Sequence, residues 1–227
     1  PPFDPYDLEA ILEGREVDVW HTKDPLINPN QKQVWSREQA RTVAAVFHLD
    51  DGRVVRLGDT QVELDGFPEN PLRALATSST PYLQERTWVG TIEDLYLVDL
   101  RCGERSLIVK GFRGGSSAAN QWIAVPAAAR SLSPGGRFAA WFMDGHWHLY
   151  DADTGLVRNL TEGLDVAFHD LDHDFPGPSG GHGLGGWFDG DRGLLVHDKY
   201  DVWLFSTAEG EPRNLTGGEG RSRGLVL

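Results

Sequence analysis

The chain has 227 residues, 40% of them hydrophobic and 24% charged, with 27 Gly, 13 Pro and 8 Trp. That composition gives a globular chain room for a core and suits short strands and turns, not long helices. A formal net charge of −13 makes nucleic acid a poor partner, the lone Cys102 excludes an intrachain disulfide and a cysteine-rich zinc site, and no apolar run approaches the ~20 residues of a membrane span.

The start, Pro1-Pro2-Phe3-Asp4-Pro5, does not read as a signal peptide, and the compartment stays open between cytoplasm and periplasm or exterior. Tyr6 to Glu13 is the one stretch with helix-like spacing and is expected to be a short helix or turn in a leader over 1–14. A hairpin pattern then recurs. Residues 43–52 (VAAVFHLDDG) are followed by 53–58, residues 94–103 (DLYLVDLRCG) by 106–111, residues 146–155 (HWHLYDADTG) by 157–163, and residues 201–210 (DVWLFSTAEG) by 212–218. In each, a β-branched and aromatic run meets a turn rich in Asp or Gly and a second short strand returns.

The first strands end at Asp50, Asp99, Asp151 and Ser206, spaced by 49, 52 and 55 residues. Further strands precede the last two hairpins: 137–142 after the turn Ser133-Pro-Gly-Gly136, and 193–198 after Asp189-Gly-Asp-Arg192. Roughly four strands per ~50 residues is the period of a propeller blade. The expected fold is therefore all-β, an incomplete β-propeller of three to four four-stranded antiparallel blades forming one segment over 1–227. The blades fall at about 15–60, 61–111, 112–163 and 164–218, with 219–227 starting the next. A sandwich gives no reason for the period or for an Asn-Leu-Thr ending that occurs twice.

Three strings carry a family resemblance. Asp18-Val-Trp-His-Thr-Lys-Asp-Pro25 with Gln31, His182-Gly-Leu-Gly-Gly-Trp187 with Asp198-Lys-Tyr-Asp-Val-Trp203, and Asn214-Leu-Thr-Gly-Gly-Glu-Gly-Arg221 resemble the propeller of a bacterial branch of the prolyl oligopeptidase family, of the dipeptidyl or acylaminoacyl peptidase kind. The resemblance implies a propeller that caps an α/β-hydrolase domain bearing a Ser-Asp-His triad, placed C-terminal to these blades, and that restricts access to short peptides. No alternation of strands and helices marks a hydrolase sheet in this chain. A stand-alone propeller that binds a protein or ligand is the alternative, and an enzyme with its own site in the loop from His169 to His182 is a third reading.

Several motifs invite catalytic readings. Gly177-Pro-Ser-Gly-Gly181 has the Gly-x-Ser-x-Gly pattern, but His173-Asp-Phe-Pro176 before it is no buried strand and the glycines after it cannot sustain a helix, so Ser179 reads as a loop residue although His197 and Asp198 lie downstream. Gly181-His-Gly-Leu-Gly-Gly186 matches a dinucleotide fingerprint without its strand and helix. The best metal candidate is His169-Asp-Leu-Asp-His-Asp174 with His182, whose spacing matches no helix site. A solvated acidic loop, a contact with the absent domain, or a face for a peptide ammonium are its other readings.

Asn159-Leu-Thr161 and Asn214-Leu-Thr216 are sequons by pattern, yet their equivalent places predict that amide and hydroxyl satisfy the hairpins. Trp20, Trp88, Trp141, Trp147, Trp187 and Trp203 are expected to pack between blades. Arg113-Gly-Gly-Ser-Ser117 is a basic, Gly-rich loop with nothing diagnostic. No catalytic, cofactor-binding or metal-binding residue is assigned.

Overall fold

The structure, a computed structural model, describes residues 21–24, 26, 28–66, 69–85, 91–113, 129–174 and 177–226. The expected leader helix at 6–13, Trp20, Trp88 and most of the Arg113 loop lie outside them. Strands are short and all pair antiparallel. Strands β1 (Ala45–Phe47) and β2 (Val54–Arg56) form a two-stranded sheet. Sheet 1 comes next as β3 (Glu63–Leu64), β4 (Arg73–Ser78), β5 (Glu93–Asp99) and β6 (Arg105–Phe112). Sheet 2 is β7 (Arg130–Leu132), β8 (Phe138–Met143), β9 (His146–Asp151) and β10 (Leu156–Asn159). Sheet 3 is β11 (Leu184–Phe188), β12 (Gly193–His197), β13 (Val202–Ser206) and β14 (Arg213–Asn214). Each four-stranded sheet is a meander whose spatial order is its chain order, so the all-β, incomplete propeller of repeated blades holds.

Two helices depart from the expectation. Helix α1 (Asn28–Gln39) precedes β1 and contains Gln31 of the first resemblance string, and α2 (Glu219–Arg223) occupies residues expected to open another blade. A short 3-10 turn, Thr80–Tyr82, links β4 to β5.

The hairpin turns explain the repeated Asp and Gly. At the end of β5, Asp99 accepts from Arg101 N at 2.8 Å and its carbonyl accepts from Gly103 N at 2.7 Å. At the end of β9, Asp151 accepts from Asp153 N at 3.0 Å and its carbonyl from Gly155 N at 2.8 Å. The last turn residue must then adopt a left-handed conformation, φ 76° at Gly103 and 71° at Gly155, which glycine alone enters without strain. Their surroundings differ. A Cβ on Gly155 meets nothing within 4 Å, whereas one on Gly103 sits 2.7 Å from the Arg56 carbonyl oxygen and 3.0 Å from a Val55 methyl, across the gap to β2. Gly155→Ala is therefore expected to cost about 1 kcal/mol and Gly103→Ala roughly twice that, read from urea unfolding midpoints. Equal losses would show that the first gap is loosely packed.

The Asp151 carboxylate also holds the Arg137 guanidinium through Nε at 2.9 Å and Nη2 at 2.8 Å. That hydrogen bond lowers its pKa from 3.8 to about 2 against the opposing effect of burial. A carboxyl depressed in the folded state contributes stability that is complete above the unfolded value and is lost as pH falls toward the folded one. Thermal unfolding is thus expected to ease between about pH 4 and pH 2 in the native chain. In Asp151→Asn the decline over that window should be shallower, and an unchanged slope would mean that the pair adds nothing.

Alternation along the strands gives every sheet two packing faces. Ala74 and Ala76 on β4 with Val98 on β5 face back onto Val55 and Leu57. Leu75, Leu95, Leu97, Val109 and Phe112 face forward and meet Ala139 and Trp141 of sheet 2. On sheet 2 the forward set is Phe138, Ala140, Phe142, Trp147 and Leu149, which meet Leu194, Val196 and Phe205 of sheet 3. As expected, Trp141 and Trp147 are buried between blades, and Trp187 and Trp203 pack against the core between sheets 2 and 3.

Candidate functional site

The first strands β7 and β11 and the residues that follow β3 surround an open groove of about 410 Å³ bounded by Asp65, Glu69, Asn70, Arg130, Ser133 and Trp187. Convergence of first strands is what places the axis of a propeller on this side. Side chains tie the strands across it. Arg130 of β7 donates through Nη2 to Asp65 at 3.0 Å and through Nη1 to Glu93 at 3.1 Å, and the Trp187 indole N–H donates to Ser131 Oγ at 3.0 Å. Desolvation opposes the Arg130 charge, but the two carboxylates outweigh it and raise its pKa. Asp65 and Glu69 against the one guanidinium of Arg130 leave the groove lining with a net negative charge, and the Trp187 indole edges it.

A second polar centre closes one end of sheet 3. Between β12 and β13 the chain turns through Asp198, Lys199, Tyr200 and Asp201, and both aspartates are buried, at 1% and 0% exposure. Asp198 Oδ1 accepts from the backbone N–H of Tyr200 at 2.7 Å and of Asp201 at 2.9 Å, while Oδ2 accepts from the Trp203 indole at 2.7 Å and from Arg221 Nη2 at 3.0 Å. Burial raises the Asp198 carboxyl, but these donors prevail and hold it below the usual carboxylate range. Arg221 reaches it from α2 and lies over the Tyr200 ring, 5.1 Å from the centroid. Arg221 Nε is also 3.7 Å from Asp201 Oδ2, while Asp201 Oδ1 accepts from the Thr216 hydroxyl at 2.7 Å.

The same device recurs in each blade. The residue at the start of the third strand or just before it is Asp94, His146 or Asp201, and each bonds the exit of the fourth strand. Asp94 accepts from Gly111 N at 2.9 Å and from the Tyr82 hydroxyl at 2.6 Å, the latter pushing the Tyr82 pKa up to about 12. His146 Nδ1 lies 3.1 Å from Thr161 Oγ1. Asn159 accepts from Thr161 N at 3.1 Å and Asn214 from Thr216 N at 3.0 Å, and the two hydroxyls accept from Trp147 N and Val202 N. Both Asn-Leu-Thr strings thus fasten hairpins, as their placement in the repeat predicts.

The loop before β11 carries the other motifs. Ser179 donates to the Asp170 carbonyl at 2.6 Å, and the next element is β11, not a helix, so the Gly-x-Ser-x-Gly string lacks an elbow. Ser179→Ala is expected to leave any peptide hydrolysis by the full-length polypeptide unchanged; a loss of rate with unchanged folding would restore Ser179 as a nucleophile. The Gly-x-Gly-x-x-Gly string likewise runs into β11, with its register shift between Leu184 and Gly186. His182 is half-buried, burial lowers its pKa, and its Nε2 lies 3.1 Å from the His169 carbonyl oxygen. Among the described residues no three His, Cys, Asp or Glu side chains come together as a metal site. Lys199 instead pairs with Asp172, pinning this loop to the turn of sheet 3.

In the sequence, Asp198, Asp201 and Arg221 stand only as parts of family-like strings, and nothing there foretells their contact. Arg221 and Arg223 both follow the second Asn-Leu-Thr, and the sequence does not tell which of them reaches the aspartates. No family profile matches the chain, and no characterised protein shows significant similarity to it.

Proposed function

We propose that this chain is the non-catalytic propeller segment of a prolyl oligopeptidase-type serine peptidase, gating the access of short peptides to an α/β-hydrolase domain that lies outside these 227 residues. The observation that supports it most is the clustering at the end of sheet 3. Residues drawn from two separate family-like strings, Asp198, Tyr200, Asp201 and Trp203 on one side and Asn214, Thr216 and Arg221 on the other, form one hydrogen-bonded unit. A chance match to either string gives no reason for the two to interlock.

In this reading the propeller contributes a filter and no bond chemistry. The anionic groove with Trp187 lies on the axis side, where a peptide would pass, and repels acidic chains while tolerating basic and apolar ones. The test is fluorophosphonate labelling of the full-length natural polypeptide, with hydrolysis of peptides of increasing length measured alongside. Labelling outside residues 1–227 and a rate that falls with peptide length are expected. A full-length protein that takes no label would instead be a stand-alone binding propeller.

A further inference from the structure

The groove beside the first strands holds more than a surplus of negative charge. Asp65 already accepts from Arg130, which is also held by Glu93 and lies over the Phe112 ring, 5.4 Å from its centroid. Glu69 is exposed and its carboxylate pairs with no group among the described residues, so it is the charge left open to a ligand. Trp187 is fixed by its indole N–H on Ser131 Oγ and therefore offers ring surface but no hydrogen bond. Asn70 is an independent sign of a ligand. It is 7% exposed and lines the same groove, and its Oδ1 accepts from Leu72 N at 2.9 Å and Arg73 N at 2.8 Å. Its NH2 donates to no group among the described residues, at a depth where a donor ordinarily has a partner. The seat of this amide is closely built: a Cβ on Gly136 would stand 2.4 Å from Asn70 Oδ1, so the amide fills space that only glycine leaves.

We propose that this groove binds an arginine residue of a peptide: Glu69 pairs with the guanidinium, the Trp187 ring packs against its plane, and the Asn70 NH2 donates to a backbone carbonyl oxygen of the peptide. Each group selects one part of that ligand. A planar cation with several N–H donors suits a carboxylate and an aromatic surface together, and suits them better than the strongly hydrated ammonium of lysine. The amide NH2 needs an acceptor, which a peptide carbonyl supplies without adding charge. An acidic side chain would face Asp65 and Glu69 while Arg130 is already engaged, so the groove rejects it. The proposal extends the filter suggested for this groove but needs the groove alone. It can fail where a hydrolase domain exists outside these residues and hold where none does.

The test is calorimetric titration of the 227-residue chain with end-blocked pentapeptides, alanine throughout except for a central arginine, citrulline or lysine. Citrulline keeps the shape of arginine and removes its charge. The arginine peptide is expected to bind about 10-fold more tightly than the citrulline peptide, with lysine between them. In Glu69→Gln, a change at an exposed side chain, that preference should fall to about 2-fold while the affinity for citrulline holds. Trp187→Leu should weaken arginine binding by about 5-fold. Equal binding of the arginine and citrulline peptides by the native chain overturns the proposal, and so does lysine bound as tightly as arginine. A preference that survives Glu69→Gln overturns it too, because the chain's general negative charge would then be its source. Should Trp187→Leu fail to fold, the native chain and Glu69→Gln decide the matter.

Discussion

Replacing Asp198 with Asn is expected to destabilise the chain by about 3 kcal/mol, nearly as much as replacing it with Ala, although Asn has almost the same shape. All four hydrogen bonds at this side chain are accepted, two on each oxygen. An amide can keep one acceptor toward the N–H groups of Tyr200 and Asp201. Its NH2 then confronts the Trp203 indole N–H and the Arg221 guanidinium, donor against donor, at a buried carboxylate position. For a chain of this size a loss of that order lowers the melting temperature by roughly 10 °C. Arg221→Met should cost less, because the other three donors to Asp198 remain. An Asp198→Asn protein within about 1 kcal/mol of the native one would show that burial, not accepted hydrogen bonds, defines this turn.

Trp147→Ala should have the other large effect, about 4 kcal/mol, and an uneven one. Trp147 is fully buried between sheets 2 and 3 and meets Phe142 edge-on at 5.5 Å. It takes no part in the core between sheets 1 and 2. Repeat proteins lose stability chiefly at the interface that is altered, so amide exchange should quicken in β12 and β13 while β4 and β5 stay protected. Trp147→Phe is expected to cost only about half as much. It leaves a smaller void and removes an indole N–H that is buried without a hydrogen-bond partner. Uniform acceleration across all three sheets would show that the blades unfold as one unit.

How much of the fold was legible in the sequence depends on how local each signal is. The Asp and Gly of the hairpin turns act within five residues, and the Asn-Leu-Thr strings bond their own neighbours, so both announced themselves by repetition. The first strands did not. β3 has two residues and β7 three, and β11 is interrupted by glycines, so none is long enough to show alternation. Helix α1 escaped for another reason: Val34 and Trp35 are its only large apolar residues, which leaves no periodic stripe. The contacts of Asp198 with Arg221, and of Arg130 with Asp65, join residues 23 and 65 positions apart. Sequence spacing carries no trace of such pairs until the fold brings them together.

The blades are repeats in outline, yet they are not interchangeable parts. Sheet 1 offers Leu75, Leu95 and Leu97 to a neighbour that answers with the large Trp141, whereas sheet 2 offers Phe142 and Trp147 to one that answers with Leu194 and Val196. Each seam adds its own aromatics, Phe112 opposite Trp141 at the first and Phe205 opposite Phe142 and Trp147 at the second. Exchanging sheets 2 and 3 would set Leu194, Val196 and Phe205 against Leu75, Leu95 and Leu97, and would turn Trp141 toward Leu195 and Leu204. The order of the sheets is thus written into their side chains, because each face is shaped for the one neighbour it meets.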